Sequence, residues 1–162
     1  MNANGTAAER LARRALSGKD SHAATKEVFS GLDWKAAGLK PRGAPHSVYQ
    51  LLKHMSYWQD WVIGWLAGGT PAVPRHASGS WPDGASPSSR RDWDEAETQF
   101  RRGLGRLEHA CRATALSSVR SEKKRLEMLH TIAAHNSYHA GQVAFLRQLL
   151  GKWPPPSGGV TW

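Results

Sequence analysis

Three stretches of the chain carry apolar residues at helical spacing. In the run His46–Ala67, the residues Ser47, Leu51, His54, Trp58, Trp61 and Trp65 follow one another in steps of three or four, and Leu52, Met55, Val62 and Leu66 widen the stripe. One face of an α-helix therefore holds most of its apolar mass. The run opens after Pro45 and closes at Gly68–Gly69, which is how helices are punctuated. A second run, Arg91–Ala113, puts Trp93, Phe100, Leu104, Leu107 and Cys111 on one face and leaves Arg101, Arg102, Arg106 and Arg112 largely outside it. Gly103 and Gly105 weaken this helix modestly. The third run, Ser121–Leu150, has the stripe Met128, Ile132, His135, His139, Gln142, Leu146 and Leu149. Its start resembles a capping box, with Ser121 followed by Lys124 in place of the usual Glu or Gln, and it ends at Gly151 before Trp153 and three prolines. Towards the N-terminus, Thr6–Leu16 and Ser21–Leu32 read as helical pieces broken at Gly18, the later one placing His22, Thr25, Phe29 and Leu32 on one face. No segment alternates as a strand would.

The pattern predicts an all-α protein with four helical regions in a single domain, 1–162. Residues 68–92, between the second and third regions, are more than half Gly, Pro or Ser. Short loops join antiparallel neighbours in a bundle, whereas a connection this long can run its full length and let the helices it joins lie parallel. The expected architecture is a four-helix bundle with a long crossover loop, Trp81 anchoring that loop to the bundle.

Composition narrows the functions available. Apolar residues make up 40% of the chain, enough for one core. The lone cysteine, Cys111, excludes an internal disulfide framework and any multi-cysteine metal site, and it fits a reducing, cytoplasmic setting. The longest apolar run, Trp61–Ala67, is far short of the ~20 residues of a membrane span. Lys and Arg number 22 against 13 Asp and Glu, a net charge of +9, and Arg120, Lys123, Lys124 and Arg125 cluster at one helix start. Yet no nucleic-acid-binding motif is present, and the tryptophans are spaced for a core rather than for stacking on bases. Phosphate-binding loops and a GxSxG elbow are absent as well.

Candidate chemistry is concentrated in histidines. His135 and His139 lie four residues apart, so on a helix they rise ~6 Å along nearly one line and both imidazoles can reach a common ion. His54 occupies an inward position of another helix and is the natural third ligand. His22 is the candidate fourth ligand or a group supporting the others. A single inward histidine is more often a hydrogen-bonded core residue, but each buried imidazole must find partners or incur ~1–3 kcal/mol, and three converging ones suit a divalent cation. His46, His76, His109 and His130 have no matching geometry. Tyr57 and Gln142 flank the histidine faces as candidate contacts to substrate or water. No Asp or Glu shares those faces, so no general base is evident.

The segments PHSVYQLLKHM (Pro45–Met55) and HNSYHAGQVAFLRQLLGKWPPP (His135–Pro156), in this order and separation, closely resemble the DinB-like superfamily of four-helix-bundle metalloproteins. The resemblance runs from Leu11–Gly18 and His22, through Trp81–Pro82, to the closing GGxTW at Gly158–Trp162. It implies an up-down-down-up bundle and frequently a homodimer. It also implies a divalent metal, commonly nickel or zinc, bound by a histidine of the second helix and an HxxxH pair of the fourth, here His54, His135 and His139, with solvent completing the shell. The superfamily further resembles thiol-dependent S-transferases and isomerases that use a low-molecular-weight thiol such as mycothiol or bacillithiol. The expected function is thus a divalent-metal-dependent enzyme of the thiol-dependent S-transferase or hydrolase type; the alternative is a metal- or small-molecule-binding module without turnover. Val160 stands where an acidic residue is expected in the GGxTW tail, which puts any part of that tail in the site at issue.

Overall fold

The computed structural model describes residues 5–18, 20–112 and 121–158. Each long helix is entered through a side-chain cap, because the first amide groups of a helix otherwise lack partners. Helix α1 (Ala7–Ser17) starts with a capping box of Thr6 and Glu9 and stops at Gly18, which takes the left-handed conformation (φ 65°). After it come the short α2 (Trp34–Ala37), capped by Asp33, and α3 (Val48–Leu66), capped by a box of Ser47 and Gln50. A single 3-10 turn (Ala77–Ser80) interrupts the long connection. Helix α4 (Arg90–Ala110) is capped by Ser89, and α5 (Glu122–Leu149) by Ser121, whose side chain accepts from the Lys124 amide. Among the described residues there is no strand, and no helix is long and apolar enough to cross a membrane.

Helix directions follow from which residues meet. The Tyr49 hydroxyl reaches Asp92 at 3.2 Å and the Gln99 amide donates to Asp60 at 3.0 Å, so α3 and α4 advance together and are parallel. The start of α3 (Val48, Leu51, Leu52) shares a core cluster with Ala140, Val143 and Leu146, while its end (Val62, Leu66) clusters with Leu129 and Ile132. Helix α5 is therefore antiparallel to α3. Glu9 lies 3.6 Å from Arg125, near the start of α5, and His22, beyond the end of α1, reaches Ser137 further along α5, so α1 and α5 run the same way. The order is up-down-down-up, and the connection 67–89 is the crossover that a parallel α3–α4 pair requires.

Several expectations are corrected. Ser21–Leu32 is a chain of turns rather than a helix. Its Val28 and Ser30 carbonyls accept from the buried Arg147 guanidinium at 2.6 and 3.0 Å, and Gly31 adopts φ 71°, so the carbonyls a helix would use are spent elsewhere. Thr25, Phe29 and Leu32 are nonetheless buried. Ser47 caps α3 instead of belonging to its stripe. The deepest line of that helix is Leu52, Met55, Gln59, Val62 and Leu66, with Trp58, Trp61 and Trp65 half-buried at its flank. Leu149 is 55% exposed. Arg125 leaves the expected basic cluster for the interior, where it donates to the Ala110 and Cys111 carbonyls at 2.7 Å and so closes the end of α4. Arg120, Ala113 and residues 159–162, including Val160, lie outside the described residues.

Candidate metal centre

His54 projects from α3, and His135 and His139 from α5, into the crevice between the two helices. The i, i+4 spacing stacks the α5 pair, with ring centroids 4.4 Å apart, and the antiparallel register brings His54 opposite them. One nitrogen from each ring falls within 4.8 Å of the other two. The Nε2 atoms of His54 and His135 stand 3.2 Å apart. No carboxylate belongs to this group.

The other nitrogens fix how the rings present themselves. His54 Nδ1 lies 3.2 Å from the Ser80 carbonyl and His139 Nδ1 lies 2.7 Å from Gln142 Oε1. Both oxygens only accept, so each Nδ1 carries the proton and each Nε2 keeps its lone pair. His135 Nδ1 is buried without a hydrogen-bond partner. Desolvation, reinforced by the neighbouring His139, brings the pKa of His54 and of His135 from the ordinary 6.5 to about 4. Burial lowers His139 too. Three neutral imidazoles in one crevice make a donor set that repels protons and suits a cation with nitrogen ligands.

The walls are aromatic. Trp81 stacks on His54 at 3.9 Å with planes 8° apart, and His46 stacks on the opposite face of Trp81 at 3.6 Å. Trp58 approaches His54 and His135 edge-on. The crossover supplies both Ser80 and Trp81, and it is pinned by Trp61 Nε1 donating to the Ala72 carbonyl at 3.2 Å and by Ser47 donating to the Ala85 carbonyl.

The structure brings His54, His135 and His139 together and leaves His22 outside the group. Its Nε2 meets Ser137 Oγ at 3.0 Å and its Nδ1 meets the Ala23 carbonyl at 2.8 Å, so both nitrogens are engaged elsewhere. The Gln142 oxygen is committed to His139. Tyr57 lines a cavity on the α3–α4 side with Lys53, Asp60 and Gln99, and Ser80 and Trp81 line it too. Sequence reasoning missed Ser80 and the placement of His46; the one available signal was Trp81–Pro82 inside the long loop.

The chain is a crossover helical bundle in which three histidines on facing helices converge closely enough that they could hold a metal ion. The family model of the DinB superfamily matches residues 19–143, and the chain belongs to that superfamily. Comparison with curated proteins and with solved structures gave no match.

Proposed function

We propose that His54, His135 and His139 hold a divalent cation, zinc or nickel, and that the protein is a metal-dependent enzyme of the thiol-dependent S-transferase or hydrolase type. The observation that carries the reading is the 3.2 Å approach of two Nε2 atoms. Two imidazoles on one zinc, each at ~2.0–2.1 Å, stand about 3.3 Å apart at a tetrahedral angle. The full set spans up to 4.8 Å, about 1.5 Å more than that tetrahedral separation, so the widest-set ring must swing inward for all three to share one ion.

Three protein ligands leave coordination positions open, and a cation bound there supplies Lewis acidity that lowers the pKa of a water or thiol. The chain's own groups prepare the site. Ser80 and Gln142 hold the two Nδ1 protons and aim the Nε2 lone pairs inward. Trp58 and Trp81 exclude water from the flanks. Cys111 is buried, donates to the Leu107 carbonyl, and has its thiol pushed up to about 11 by desolvation. It is inert as a nucleophile, so a sulfur nucleophile would have to be an external small thiol.

The test is turnover by metal-loaded protein against a panel pairing small thiols with an activated aryl halide, alongside simple esters. We expect thiol conjugation or hydrolysis that disappears in His135→Ala. Full metal occupancy with no turnover on either arm would contradict the enzymatic reading and leave a binding module.

A further inference from the structure

Beside the histidine crevice, towards the end of α5, lies a cavity of about 350 Å³, within the ~300–1,000 Å³ usual for small-molecule sites. One wall is apolar, made of Leu51, Phe145 and Leu149, and the last two are 60% and 55% exposed. The other wall is the 42–46 segment, where the Ala44 amide closes a turn on the Pro41 carbonyl at 2.9 Å and Gly43 sits at φ 83°. That conformation favours glycine, and the neighbouring Arg42, exposed at the corner of the turn, is among the residues that line the cavity. Lys40 lies close enough to His46 to oppose its protonation. His46 Nδ1 is buried and has no hydrogen-bond partner, an unmatched polar atom of the kind a ligand satisfies. No Asp or Glu lines the cavity.

The cavity also touches the histidine centre. Gln142, on its wall, accepts from His139, and His46 is separated from His54 only by the Trp81 ring.

We propose that this cavity binds a small carboxylic acid with an apolar body, which lies against Leu51, Phe145 and Leu149 while its carboxylate pairs with Arg42. This names a substrate class for the histidine site and in that respect rests on the function proposed above; occupancy of the cavity itself does not require the metal.

The probe is 4-phenylbutyrate, compared with its uncharged amide, titrated calorimetrically into metal-stripped and metal-loaded protein. We expect the acid to bind the stripped protein up to about 5-fold more tightly than the amide, the range open to an ion pair at an exposed side chain. Arg42→Ala should abolish that preference, Arg42→Lys should retain most of it, and Phe145→Ala should weaken acid and amide alike. Absence of acid binding, equal affinity for acid and amide, or indifference to Arg42→Ala would overturn the proposal. Binding that needs the metal and ignores Arg42 would place the carboxylate on the ion, overturning the cavity while sparing the metal site. Arg42-dependent binding by protein that takes up no metal would uphold the cavity and remove the metal reading.

Discussion

A free histidine gains its proton near pH 6.5, whereas folding holds His54 and His135 neutral down to about pH 4. The unfolded chain therefore binds protons first as the medium is acidified. The stability associated with the neutral rings is fully present above 6.5 and is lost as pH falls towards 4. Each such histidine contributes a slope of up to about 1.4 kcal/mol per pH unit across that window. For metal-stripped protein, denaturant unfolding between pH 7.5 and 4.5 should show this decline, and His54→Gln should flatten it. A wild-type profile with no slope in that window would mean that the rings are not desolvated as described. His22 separates ligand from bystander at the same scale: with both nitrogens bonded to Ser137 and Ala23, His22→Ala should leave metal stoichiometry unchanged.

Between elements, α3 and α4 come especially close at Gly103. A Cβ built on Gly103 would lie 2.2 Å from Gln59 Oε1, and Gln59 is fully buried, so its side chain has nowhere to swing. Gly103→Ala should cost about 1–2 kcal/mol by overpacking, despite alanine's helix propensity. In a Gln59→Ala background the same change should become stabilising by up to ~1 kcal/mol. Thermal unfolding of the four-member cycle checks the reversal of sign, and unchanged cost in the Gln59→Ala background would refute the contact. The expectation that Gly103 merely weakens its helix captured propensity and missed packing. Helix α4 was otherwise legible, since it is covered on one face and Trp93, Phe100, Leu104, Leu107 and Cys111 are all buried there. Helix α5 was half legible. Packed by α3 and α1 together, it also buries Leu129, Ala133, Asn136, Val143 and Arg147, which no single stripe describes. Ser21–Leu32 was misread because its fate is decided by Arg147, more than a hundred residues away. The histidine cluster was legible because its spacing is fixed by helical period, whereas Ser80 and Trp81 reach it from a loop that has no period.

At the scale of the molecule, the crossover is part of the site, because it delivers the Ser80 carbonyl and the Trp81 ring to His54. Trp81→Ala should speed proteolysis within 67–89 and weaken metal affinity by about tenfold, the lower end for losing groups that orient a ligand. Trp81→Phe should be milder on both counts. Unchanged cutting and unchanged affinity in Trp81→Ala would reduce the loop to a tether. The central claim, that two helices and a crossover assemble one metal site, is tested most directly by elemental analysis of protein purified without a His-tag or metal column. One zinc or nickel per chain is expected at neutral pH, falling towards pH 5 as protons compete for the imidazoles, and largely absent from each of His54→Ala, His135→Ala and His139→Ala. Full occupancy in His54→Ala would contradict it.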